Sequence, residues 1–102
     1  MKGFEKDRYE IRLLRNAYAS HNRRVSEAID SVRFYSQDKY EMSLTTVKRI
    51  QFAVEMLEED ERFIIENEVI LGKEGKWYRT FCSPSKYYRC RRKAYRDFLR
   101  CL

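Results

Sequence analysis

The residues of this 102-residue chain best equipped for chemistry lie near its C-terminal end, and the chemistry they suit is recognition of anions. Residues 71–102 carry ten Lys or Arg against two Asp or Glu. Ser83-Pro84 stands among them as the strongest local signal in the chain. Serine is a favoured helix N-cap and proline suits the first helical position, where its missing N–H goes unused, so a helix starts at Pro84. On that helix Tyr87, Cys90, Ala94 and Phe98 recur every three or four positions as an inner face, which turns Lys86, Arg89, Arg92, Lys93 and Arg96 outward on a wide arc. Guanidinium and ammonium groups displayed this way pair with phosphate oxygens, and a guanidinium also matches the paired acceptors on a guanine edge.

Catalytic chemistry lacks its usual parts. The chain has one His, no Gly-rich phosphate loop, no GxSxG, no HExxH and no Cys/His cluster, so no enzyme activity, metal or cofactor is expected. Cys82, Cys90 and Cys101 include no CxxC pair and read as buried, reduced thiols. No stretch approaches the roughly 18 apolar residues needed to span a bilayer, and the N-terminus has no apolar signal run, so the expectation is a cytoplasmic protein without a membrane partner.

The positive charge is local. Residues 1–70 hold 12 Lys or Arg against 14 Asp or Glu, so the overall +6 and pI near 9.3 average two unlike pieces. A basic module on a near-neutral body is the footprint of a surface that contacts a phosphate backbone. Three Gly, one Pro and 43% apolar residues favour an all-α fold of one-domain size.

The elements that must position the basic helix can be read upstream. Phe4, Ile11, Leu14, Tyr18, His21, Val25, Ala28, Val32 and Tyr35 form a heptad stripe, which predicts a long amphipathic helix or, with a break near residues 19–22, a helical hairpin. Such a stripe must pack on the C-terminal half, fold back on itself or pair with a second copy. Ile11, Leu14, Tyr18, Val25 and Val32 are the residues that would make a homodimer. Residues 36–42 read as a connector ending at Ser43, an N-cap for a helix over about 44–58. Glu58 to Glu61 place negative charge at the start of the next helix, and Gly72 with Gly75 end it. Residues 76–82 allow at most about two turns of helix. The expected division is a packing or dimerisation segment, 1–42, followed by a helix-turn-helix module, 43–102.

The order of these pieces over about residues 44–100 resembles region 4 of sigma-70-type factors, and resembles still more the small phage transcriptional regulators of the ArpU and RinA type. The resemblance is carried by Leu44…Ile50…Leu57, the run Glu59 to Glu66, a Trp-led short helix, Ser83, Tyr87-Tyr88-Arg89, Ala94 and Phe98-Leu99. It implies a four-helix DNA-binding module, double-stranded DNA as partner, and RNA polymerase as a further partner. No counterpart of sigma region 2 is present, so it implies a transcription regulator rather than a complete sigma factor. In the helix-turn-helix arrangement Ser85, Lys86, Tyr88, Arg89 and Arg92 meet base edges or adjacent phosphates, with Arg89 placed for guanine, while Lys76, Arg79, Lys93 and Arg96 meet phosphates. Two alternatives stand beside this: a protein-interaction module whose basic helix docks an acidic partner, and a small terminase-like DNA-packaging subunit.

Overall fold

A computed structural model describes residues 3–30 and 37–102, with the side chains of 3–26 and 41–102. The described residues are helical, with no strand among them. Four α-helices, α1 (Gly3–Asp30), α2 (Gln37–Glu55), α3 (Glu59–Ile65) and α4 (Pro84–Cys101), enclose one core. A π-helical turn, Glu66–Ile70, extends α3, and a single 3₁₀ turn, Trp77–Thr80, precedes α4.

The first helix runs unbroken through residues 19–22, so of the two expected forms the structure adopts the single helix and not the hairpin. Over residues 4–18 its stripe faces inward: Ile11 and Tyr18 are buried, and Phe4 and Leu14 pack against the same core. The partner is the rest of the same chain, because α1 packs along α2, the π turn and α4. Ile11 and Tyr18 therefore share one core with Ile50, Ile65 and Phe98, and the boundary after residue 42 separates no second core. Burying that part of the stripe needs no second copy. Val32 lies outside the described residues.

The second helix begins at Gln37, where a connector was expected, and Ser43 lies inside it instead of capping it. The physical reason is tertiary. Ser43 is buried, and its Oγ lies 2.9 Å from Nδ1 of His21 on α1, so a residue suited to capping serves as a hydrogen-bond partner between helices. One helical turn pair further on, Gln51 Nε2 donates to the Tyr18 hydroxyl at 3.1 Å, consistent with α1 and α2 running antiparallel.

Acidic residues Glu59, Asp60 and Glu61 occupy the first turn of α3, as the helix dipole favours. The helix then widens. The Leu71 N–H reaches back five residues to the Glu66 carbonyl at 2.9 Å, and Asn67, Glu68 and Val69 are all buried in succession. An α-helical stripe returns inward every three or four residues, so three consecutive inward positions depend on this wider turn. Gly72 and Gly75 then reverse the chain at φ 65° and 70°, a region that suits glycine.

The start of α4 is at Pro84, with the Ser83 hydroxyl accepting from the Lys86 N–H at 3.3 Å; a cap of this kind contributes about 1 kcal/mol. Tyr87, Ala94 and Phe98 are buried and Cys90 is half-buried, as the spacing requires, and Tyr95 joins them. The cysteines divide differently from expectation: Cys82 and Cys90 are half-buried, but Cys101 is exposed even though Phe98, Leu99 and Leu102 around it still pack on the core. Among the described residues no helix is long and apolar enough to cross a membrane.

Candidate nucleic-acid interface

Viewed down α4, the side opposite the core carries Ser85, Arg89, Arg92, Arg96 and Arg100, spaced at four, three, four and four, so they form one line along the helix. All five are exposed, as is Lys86 beside them. Among the described residues no carboxylate pairs with Lys86, Arg89, Arg92, Arg96 or Arg100. The Arg92 guanidinium lies 4.9 Å from the centre of the Phe4 ring, which orients it without neutralising it. The sequence reading omitted Arg100, although it continues the same spacing.

Lys93 sits at the edge of the arc and behaves differently. Its Nζ is 3.1 Å from Glu61 and 3.6 Å from Glu58, and these carboxylates, with Glu61 first, raise the affinity of the amine for its proton. Lys76 and Arg79 are exposed on the corner and the 3₁₀ turn that precede α4. Tyr88 is 48% exposed, and its hydroxyl lies 3.4 Å from that of Tyr78.

Glu61, on the acidic flank of α4, is 4% exposed. Burial, then the neighbouring Asp97 carboxyl, push its carboxyl above the ordinary carboxylate value, against the pull of Lys93. A raised folded-state value means that the native chain holds this proton more tightly than the unfolded chain does. The group's contribution is thus fully present below the ordinary value of about 4.5 and is lost as pH rises through the raised one. Glu61→Gln is expected to remove this dependence. Urea midpoints of wild type and variant should differ more in favour of wild type at pH 4.5 than at pH 7, and a difference independent of pH would contradict the assignment.

Behind the exposed line, a polar network fixes the pose of α4. The buried carboxylate of Glu68 accepts hydrogen bonds from the hydroxyls of Tyr87 and Tyr95 and, at 3.2 Å, from Trp77 Nε1. Burial foremost, with Glu68 adding to it, pushes both tyrosine hydroxyls well above their ordinary value of 10. Arg91 closes the network from the solvent side. Its guanidinium lies 4.8–5.7 Å from the ring centres of Phe4, Tyr87, Tyr88 and Tyr95, and its buried Nε has no hydrogen-bond partner, so aromatic faces are its main surroundings.

Neither Glu68 nor Arg91 stood out as functional in the sequence. Part of the Arg91 cage was legible there, since Tyr87, Tyr88 and Tyr95 lie at i−4, i−3 and i+4, the positions that meet on a helix surface. The stacked pair Tyr78 and Tyr87, ring centres 3.7 Å apart, completes the wall between the 3₁₀ turn and α4. The arrangement gives α4 a line of unneutralised guanidinium groups, an exposed first turn capped by Ser83 and an acidic flank on one side. No protein-family model, curated protein or solved structure matches this chain.

Proposed function

We propose that the chain is a sequence-specific transcription regulator that binds double-stranded DNA by inserting α4 into the major groove. The observation that carries this reading is the line Arg89, Arg92, Arg96 and Arg100, exposed and unpaired with carboxylates on a helix whose other side is locked into the core. A major groove accepts one α-helix and presents distinct donor and acceptor patterns to it. Bases are met by the first turns, with Arg89 in position for a guanine, and phosphates by Arg96 and Arg100 further along and by Arg79 and Lys76 on the preceding corner.

The expected order of a short helix, a turn and a basic helix supports the same reading, with a difference of form. The short helix is a single 3₁₀ turn, and α3 with its π extension packs against α4 in the supporting role. Lys93, neutralised by Glu58 and Glu61, contributes little to phosphate binding in this arrangement.

Selection of bound sites from a random duplex pool tests the proposal, together with electrophoretic shifts at low and high salt. Enrichment of a common sequence and salt-dependent binding are the expected results. Absence of binding at low salt would end the DNA reading and favour an acidic protein partner.

A further inference from the structure

A cleft of about 660 Å³ opens beside α4, between α1 and the corner that follows the π turn. Its floor is built from buried groups, among them Ile11, Tyr78, Tyr87, Tyr95 and the Glu68 carboxylate. Its rim is cationic. Arg8 and Arg12 stand on the α1 side and Lys73 and Lys76 on the corner side, all four exposed, and among the described residues no carboxylate pairs with any of them. Arg15 also lines the cleft, but Glu74 holds it at 2.9 Å. Across the whole lining six cations face two carboxylates, an imbalance that a solvated surface has no need to concentrate in a concave site.

The cleft adjoins the arginine line. Phe4 lies beneath both Arg91 and Arg92, at 4.8 and 4.9 Å, and stacks with Tyr95, so the first turn of α1 is docked against the flank of α4. Arg8 and Arg12 follow Phe4 at four-residue intervals and therefore continue along the same side of α1. Positive charge thus runs from Arg89 and Arg92, past the caged Arg91, to Arg8 and Arg12, and across to Lys73 and Lys76. The opposite flank of α4 holds Glu58, Glu61 and Asp97. A pocket for a small molecule typically buries its ligand against apolar walls with a few convergent polar groups. Here the Glu68 carboxylate is taken up by Tyr87, Tyr95 and Trp77, the Arg91 guanidinium is caged by aromatic rings, and Arg8, Arg12, Lys73 and Lys76 stand on the exposed rim, the arrangement of a backbone grip.

We infer that this cleft binds the sugar-phosphate backbone of a DNA strand bordering the groove that α4 enters. Arg8 and Arg12 of the N-terminal helix face Lys73 and Lys76 across that strand. This rests on the DNA reading above and adds to it a second contact surface that carries no sequence information. The first helix, which gives Ile11 and Tyr18 to the core, also has a polar side with a role in binding.

The test uses the full chain, a fluorescent random-sequence duplex and anisotropy titrations across a range of salt. Each lost phosphate contact lowers the slope of log affinity against log salt by about 0.9, so Arg8→Gln/Arg12→Gln should lower it by about 2. Affinity should fall by a similar factor on every duplex, with the ranking of selected sites and the melting temperature unchanged. Arg23→Gln/Arg24→Gln, which removes equal charge from exposed positions outside the cleft, should leave the slope as in wild type. Wild-type binding with an unaltered slope in Arg8→Gln/Arg12→Gln would overturn the cleft assignment alone, as would an equal loss in the Arg23/Arg24 control. No wild-type binding at low salt would overturn both this inference and the DNA reading.

Discussion

Neutralising the arginine line, as Arg89→Gln/Arg92→Gln/Arg96→Gln/Arg100→Gln, is expected to weaken DNA binding about a thousandfold while leaving the fold intact. The size follows from the contacts. Four guanidinium groups, at base edges or phosphates, contributing about 1 kcal/mol each sum to about 4 kcal/mol, and every 1.4 kcal/mol is tenfold in affinity. The fold should survive because all four side chains are exposed and, among the described residues, no carboxylate loses a partner. Among the described residues, the cation–π contact given up is Arg92 over Phe4, worth about 0.5–1 kcal/mol at an exposed site. Single substitutions resolve the roles within the line. Arg89→Ala should relax the base preference at one position of the selected site, and Arg96→Ala should weaken binding alike on all sequences. Lys93→Ala, which removes a cation already neutralised, should have a smaller effect than Arg96→Ala. A quadruple variant that binds as tightly as wild type would exclude this face of α4 as the interface.

The parts of this molecule that could be read from the sequence are those decided within a few residues. Ser83-Pro84 determines the start of α4 by capping chemistry alone, and Gly72 and Gly75 take the positive φ angles that end the preceding element. The inner face of α4 follows from spacing, except that Tyr95 is buried too, because its hydroxyl finds an acceptor on another element. The failures are those where a distant residue decides. Ser43 has the local chemistry of a cap, but His21 draws it into a contact between helices, and α2 extends back to Gln37. Lys93 is outward by spacing like its neighbours, and only the docking of α3 on α4 brings Glu58 and Glu61 to it.

The candidate site divides in the same way. Its exposed cations were legible on α4, where one helical period orders them. The cleft was not, because it draws on α1, the 73–76 corner and α4 together, and no spacing in the sequence relates Arg8 to Lys76. The apolar stripe on α1 signalled only that a partner was needed, and for Phe4, Ile11, Leu14 and Tyr18 the structure supplies it from within the chain. That changes the meaning of the polar side of α1. A helix committed to the core along Ile11 and Tyr18 holds Arg8 and Arg12 at a set position relative to α4, which a helix engaged only in pairing with another copy need not do.

Glu68→Ala is expected to be the most destabilising single change near the site, by about 3–5 kcal/mol, since three donors lose their acceptor, at about 1–3 kcal/mol for each that is buried. Native domains of this kind hold only about 5–15 kcal/mol in total, so the variant should be marginally folded. The reason is that three donors on two other elements converge on one carboxylate. Without it, the hydroxyls of Tyr87 and Tyr95 and the indole N–H of Trp77 lose their acceptor, and a buried donor left unsatisfied costs about 1–3 kcal/mol. Glu68→Gln keeps an amide oxygen in place and should cost markedly less. Tyr87→Phe and Tyr95→Phe should each be milder, with a non-additive double variant, since both lean on the same group. Alkali provides an independent reading of the same network. Both hydroxyls hold their protons above the ordinary value of 10 when folded, so the unfolded chain releases them first, and stability should fall as pH rises past 10, by up to about 2.7 kcal/mol per pH unit for two groups. Tyr87 and Tyr95 should develop tyrosinate absorbance only as the fold opens. Urea unfolding of Glu68→Ala within about 1 kcal/mol of wild type would show that the carboxylate does not hold α4 in place, and the rigid presentation of its arginine line would then need another support.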